Sequence, residues 1–314
     1  MNHTDDTRKT SGWLRMITYL LRHRAIGLFL FIGLLTTVVS WINPAFLSGQ
    51  NLRDIAAQAA PICIISCGVM LVLVAGEIDI SVGSMMGVLA ASMGIMVSAS
   101  RAQLPPHVAI ALTLLIGIGM GLFNGLLVAY VGVPSIIVTL GMLTALRGLT
   151  EIIMNGAWIT DLPDEIRFLG TGTILSIPLS LWTTACVLAV TIWLIHRTPI
   201  GRRIYATGSN PQAAQLAGLS IKSIKLFVFA WTGLLTAVAT LVSVPQLSVV
   251  DSGIGIGTEL LVVTCVVVGG TSVNGGVGTL SGVLCGVALM TMISTVLIFL
   301  KLGEHATYWS RAIQ

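Results

Sequence analysis

Long apolar runs recur along almost the whole chain, and no other feature limits its folding choices so strongly. They fall at 25–42, 55–75, 84–100, 108–130, 134–154, 179–195, 226–244, 258–270 and 279–300. Most approach the roughly 20 residues that a helix needs to cross the hydrocarbon core of a bilayer. In that solvent every backbone N–H and C=O must find its partner inside the protein, which leaves helices or a closed barrel as spanning structures. Runs of this length suit helices. The expectation is an all-α, polytopic helical membrane protein of about nine transmembrane helices, forming a single transmembrane domain over 1–314. Charged residues make up only 9% of the chain, where soluble domains carry about 25%. The 34 glycines fit the same class, because small residues let membrane helices approach closely.

Charge orients this arrangement. Arg8, Lys9, Arg15, Arg22 and Arg24 precede the first apolar run. Cytoplasmic flanks carry an excess of Lys and Arg, so 1–24 is predicted to be a cytoplasmic segment leading into an uncleaved first helix. Six crossings then return 196–225 to the cytoplasm, where its Arg197, Arg202, Arg203, Lys222 and Lys225 belong. The loop 155–178 faces outward, with Asp161, Asp164 and Glu165 against Arg167. Such loops account for the net charge of +4. Lipids are therefore the expected surroundings, and no basic run interleaved with aromatics points to nucleic acid. Nine spans leave the C-terminus outside, and 301–314 reads as the approach to a further helix that does not follow.

Within 196–225, the stretch from Gly208 to Gly218 reads as a short helix. Asn210 can cap it, Pro211 suits the first turn, Ala213 and Ala214 lie in its body, and Gly218 ends it. A capped, Ala-rich helix held at the membrane face is suited to docking into another protein. Ionisable or amide groups at membrane depth are costly, and each is a functional candidate. Glu77 and Asp79 sit in a break between the second and third spans. Either could line or gate a path; an Asp before a helix more commonly caps it, here through N–H groups near Ser81 and Val82. Arg147 stands one turn before Glu151, a spacing that allows a pair on one helix face. Asn124 in the fourth span is read first as an interhelical hydrogen-bond partner, and Glu259 opens the eighth span. Gly117, Gly121 and Gly125, and again Gly278, Gly282 and Gly286, form four-residue ladders that suit tight packing within one bundle, with a dimer interface as the alternative.

Several chemistries lack their residues. Cys63, Cys67, Cys186, Cys265 and Cys285 lie in apolar segments without metal-ligand spacing, so no metal or cofactor is expected. The segment 269–278 is too rich in glycine for a plain helix and superficially resembles a phosphate loop. No Gly-Lys-Ser/Thr follows it, and the four lysines of the chain sit in no nucleotide motif. The chain is not expected to be an enzyme.

An ordered set of motifs resembles the permease subunits of bacterial sugar ABC importers of the ribose, xylose, galactose, rhamnose and autoinducer-2 type. The set runs through Asn43–Ser48, Gly76–Ser84, Gly121–Val128, Val133–Gly141, Arg147–Gly148, Gly201–Asn210, Ala213–Ala214, Ala217–Gly218, Glu259 and Gly269–Ser272. The resemblance implies an ABC importer permease fold of usually ten helices in the bacterial inner membrane, with 155–178 as a periplasmic loop. Gly208, Asn210, Ala213, Ala214 and Gly218 would then belong to a coupling helix seated in a separate cytoplasmic ATPase subunit. Glu77, Asp79, Asn124, Arg147 and Glu259 are the candidates for the translocation path or its gate. A second permease and a periplasmic sugar-binding protein are the other implied partners, and alternating access is the implied mechanism. Two departures stand out: Glu77 occupies a position that is usually neutral in that family, and the family's last helix has no counterpart here. The alternatives are an ion-gradient-driven carrier using Glu77, Asp79, Glu151 or Glu259, or an ABC permease for branched-chain amino acids.

Overall fold

The computed structural model of the chain describes residues 24–247 and 249–299. The basic segment before Arg24 and the stretch from Lys301 onward lie outside the described residues, and so do the expectations attached to them.

Twelve helices form among the described residues. In chain order they are α1 (Arg24–Ile42), α2 (Gly49–Val74), α3 (Val82–Val97), α4 (Pro106–Leu126, continued by a π turn over Leu127–Val131) and α5 (Ser135–Met154). Then come α6 (Asp164–Thr171), α7 (Leu179–Arg197), α8 (Pro199–Ser209), α9 (Pro211–Leu216), α10 (Ile221–Ser243), α11 (Thr258–Val268) and α12 (Leu280–Phe299). Six of them, α2, α4, α5, α7, α10 and α12, are long and apolar enough to cross a membrane, and Ile26–Ile42, Val82–Val97 and Thr258–Val268 are shorter apolar helices. These nine coincide with the nine apolar runs, and the chain is a polytopic helical membrane protein. Local chemistry sets many of the ends. Ser48 caps α2 by accepting the Asn51 N–H, Thr198 caps α8 through the Gly201 N–H, and left-handed Asn155 stops α5.

The second half of α2, nearly all of α3 and one broad face of α10 form the centre, while α4, α5 and α7 turn much of their surface outward. This follows from composition: helices apolar all round can be buried on every side. Both glycine ladders pack inside the bundle. A Cβ on Gly117 would meet the Gly233 carbonyl oxygen at 2.6 Å, and one on Gly286 would meet the Cys265 carbonyl oxygen at 2.0 Å. The first ladder therefore joins α4 to α10 and the second joins α12 to α11.

The polar segments sort to two ends. One end gathers the α2–α3 link, α8, α9 and the Gly-rich stretch 269–278, tied by the Gly276 N–H to the Val74 carbonyl and the Tyr205 hydroxyl to the Gly278 carbonyl. The opposite end carries 98–105 and 155–178, joined where Ser98 and Ser100 donate to Asp161. Neither large loop is plain coil. The 196–225 stretch contains α8 and α9, while 155–178 contains α6 and a two-residue hairpin pairing Thr173–Ile174 with Ile177–Pro178. That hairpin and an Ile159–Val250 bridge are the β structure among the described residues of an otherwise helical fold.

Candidate functional site

The basic end carries α9. Asn210 leaves helical geometry, its side-chain oxygen accepts the Ala213 N–H at 2.9 Å, and Pro211 opens the helix. Left-handed Gly218 (φ 81°) turns the chain so that the Leu219 N–H reaches back to the Ala214 carbonyl. These ends follow from local sequence. The helix is amphipathic in an unusual sense: Ala214 is buried against the body, whereas Gln212, Ala213 and Gln215 face out and Leu216 is 91% exposed. Gly208 does not belong with them. It lies in α8 and is pressed into the bundle, where a Cβ would come within 1.7 Å of the Val74 carbonyl oxygen and 2.7 Å of the Gly276 nitrogen. Its absence of side chain lets α2, α8 and the Gly-rich stretch 269–278 meet at a three-way junction.

Beside that junction the α2–α3 link dips into the protein and forms a polar knot. Asp79 is fully buried; one carboxylate oxygen accepts the Ser81 N–H at 2.9 Å and the Ser81 hydroxyl at 2.6 Å. Ser81 in turn accepts from the Asn124 amide of α4 at 2.9 Å. Asp79 thus makes an Asx-type turn at the entry to α3, and the link is bolted to α4 through a serine. From α5, Ser135 accepts the Ile78 N–H at 3.1 Å, and the Thr139 hydroxyl donates to the Ile78 carbonyl. The other oxygen of Asp79 and the side-chain oxygen of Asn124 are buried with no hydrogen-bond partner. Glu77, mostly buried, pairs with Lys225 in the second turn of α10. It is the one ion pair found among the described residues. A cleft of about 550 Å³ opens here, lined by Glu77, Gly132–Pro134, Gln215, Leu219, Lys222 and Lys225.

Deeper in the bundle is a broken segment. After the Ile159–Val250 bridge at the opposite end, residues 251–257 run inward without helical structure, with Gly255 and Gly257 left-handed. Then α11 covers only 11 residues, about 16 Å of a core about 30 Å thick. Irregular backbone at this depth survives only where protein satisfies it. Arg147 does so: its Nη1 donates to the carbonyls of Ser252 (3.1 Å) and Ile254 (2.9 Å). The helical spacing of Arg147 and Glu151 does not produce the pair it allows, because the guanidinium is turned toward this segment and Glu151 is exposed. Glu259 begins α11 inside the bundle. One carboxylate oxygen accepts the Gly257 N–H at 3.2 Å, and the other is buried and unpartnered beside Gly83. A Cβ on Gly83 would fall 1.9 Å from it.

The five membrane-depth candidates therefore do not form one site. Glu77, Asp79 and Asn124 meet at the α2–α3 link, while Arg147 and Glu259 bracket the broken segment. Sequence reasoning passed over Lys225, Ser135 and Thr139 as partners of the link. The signal available was a second-turn Lys on the helix following α9, and hydroxyls on the first two turns of α5. Among the described residues, no three His, Cys, Asp or Glu side chains converge as a metal site would require.

Residues 51–314 match the family described as branched-chain amino acid transport system / permease component. The chain is similar to the ribose import permease protein RbsC of Haemophilus influenzae, with 37% identity over 289 residues, covering 91% of this chain and 88% of that protein. It is also similar to the autoinducer 2 import system permease protein LsrC of Escherichia coli, with 33% identity over 287 residues, 91% of this chain and 83% of that protein. The LsrC of Photorhabdus laumondii is 33% identical over 287 residues, with 91% and 85% covered.

Proposed function

We infer function from the premise that the chain belongs to the branched-chain amino acid transport system / permease component family: it is a multi-pass permease subunit of an ABC importer, a transport component rather than an enzyme. We propose that its solute is a small sugar or a related polyol-like molecule of the ribose and autoinducer 2 class. The support is the identity of 37% and 33% to proteins named for those solutes, each over 91% of this chain. A branched-chain amino acid as solute has only the family's general description behind it.

In this reading the basic end is cytoplasmic, as the excess of Arg and Lys favours. A separate ATPase subunit receives α9, a periplasmic binding protein delivers solute at the 155–178 end, and two permeases pair to form the path. ATPase closure displaces α9, and the bundle alternates between outward and inward openings around the polar link and the broken segment. The observation that carries the proposal is α9 itself: capped at both ends by local sequence, anchored by Ala214, and presenting Ala213, Gln215 and Leu216 to a partner. Glu259 at bundle depth gives a carrier a candidate ion site, but a carrier has no use for such a docking helix.

The test uses paired variants. Ala213→Arg puts a bulky charge on the outer face; the permease is expected to reach the membrane in normal amount, lose its ATPase in a mild-detergent pull-down, and lose solute uptake. Ala214→Arg forces the same charge into the body, so it is expected to lower the amount of folded protein. Normal uptake by Ala213→Arg, measured with labelled ribose or autoinducer 2 against labelled leucine, removes the docking assignment. Uptake of leucine alone removes the sugar assignment.

A further inference from the structure

The ion pair between Glu77 and Lys225 joins two parts of the chain that the proposed cycle must move relative to one another. Lys225 lies in the second turn of α10, and α10 begins only five residues after α9 ends at Leu216, across a turn made by left-handed Gly218. Any displacement of α9 reaches Lys225 through this short segment. Glu77 stands at the other side, in a link that is bolted to the rest of the bundle. The Glu77 N–H is held by the Val72 carbonyl of α2, Ile78 is held by Ser135 and Thr139 of α5, and Asp79 is held through Ser81 to Asn124 of α4. The pair therefore ties the helix that follows α9 to a place where α2, α4 and α5 are hydrogen-bonded together.

Its setting makes the tie directional rather than incidental. The 550 Å³ cleft separates Gln215 and Leu219 from Gly132–Pro134, leaving room for α9 to move, and the pair bounds that cleft. Glu77 is 11% and Lys225 26% exposed at the side chain. An ion pair so shielded is screened less than one on the surface, and loss of either partner strands the other charge.

We propose that Glu77 and Lys225 are a coupling strut: positioning residues that carry the movement of α9 to the polar link, without touching solute or nucleotide. The proposal rests on the importer reading above. Its consequence is that breaking the strut uncouples hydrolysis from transport while leaving the protein assembled. A purely structural pair would instead lower the amount of assembled complex and leave the solute moved per ATP unchanged.

The experiment reconstitutes the full complex, permease with its co-purified ATPase and binding protein, in liposomes, and measures ribose or autoinducer 2 uptake and ATP hydrolysis together. Glu77→Gln and Lys225→Gln are each expected to keep basal hydrolysis and to lower uptake per ATP at least tenfold. The exchange of charges, Glu77→Lys with Lys225→Glu, is expected to restore much of that ratio. Because a single variant leaves a shielded charge unpaired, Glu77→Met with Lys225→Met serves as the version that folds without one. It is expected to assemble normally and remain uncoupled. A Met/Met complex that assembles and transports with the wild-type ratio overturns the strut, as do single variants whose ratio is unchanged. Absence of any ATPase from the wild-type preparation is a different failure, that of the importer reading itself.

Discussion

Two alanine substitutions on one helix separate packing from propensity. A Cβ on Gly121 of α4 would sit 2.3 Å from the Phe229 carbonyl oxygen and 3.1 Å from the Ala230 Cα, both backbone atoms of α10. Backbone cannot yield by changing rotamer, so α10 must retreat by about 1 Å to reach ordinary van der Waals contact. Overpacking of this kind costs about 1–3 kcal/mol. Gly119, two residues away, faces open space with nothing within 4 Å. There alanine relieves the glycine penalty, a gain of up to about 1 kcal/mol. The same chemical change is thus expected to move stability in opposite directions, with Gly121→Ala below and Gly119→Ala at or above the parent. Thermal challenge in mild detergent followed by size-exclusion chromatography of the surviving folded protein ranks the three. Equal midpoints for the two variants would refute the α4–α10 contact as the purpose of the ladder. A stable Gly121→Ala that fails to pair with a second permease would instead assign the ladder to a dimer interface.

Arg147→Met removes the donors of two carbonyls in the broken segment. Hydrogen bonds from a charged donor contribute about 1.5–3 kcal/mol each in soluble proteins, but interhelical bonds in membranes average nearer 0.6, so a loss of about 1–3 kcal/mol is expected. Arg147→Lys should recover part of it, and the thermal assay above with Met indistinguishable from Arg would remove the clamp from the account. Asp161, outside the spans, has its carboxyl held below the usual range by the Ser98 hydroxyl and the Ser100 N–H. A lowered folded-state value stabilises above the unfolded carboxylate range and is lost as pH falls through the folded value. Asp161→Asn is therefore expected to melt earlier than the parent at neutral pH, with the gap closing in acid; a gap that is the same at both pH values would sink this linkage.

The apolar runs predict the helices correctly because the bilayer permits so few alternatives: a backbone that must satisfy itself becomes helix wherever about 20 apolar residues allow it. The ends of α9 were equally legible, since an Asn side chain, a Pro at the first turn and a left-handed Gly act on neighbours within a few residues. The basic excess of 196–225 likewise needed only counting. All of these are local or summed properties.

What tertiary structure decided is who meets whom. Arg147 finds its partners 105 and 107 residues away, not four, because the broken segment offers two carbonyls that no helix satisfies. Asn124 meets Ser81 across 43 residues, and Glu77 meets Lys225 on α10, the eighth helix after α2. The split between buried Ala214 and exposed Ala213 depends on which face of a short helix the body touches, and the place of Gly208 in α8, against Val74 and Gly276, depends on how three segments pack. Spacing along one helix identifies only neighbours on that helix. The setting of Glu259 depended on where α11 begins, and an apolar run does not reveal that the residues before it, 251–257, pack irregularly against α3 and Arg147. Composition and local chemistry therefore specified the elements and their ends, whereas the partners of each polar group, and hence the candidate site, came into being only when the helices packed.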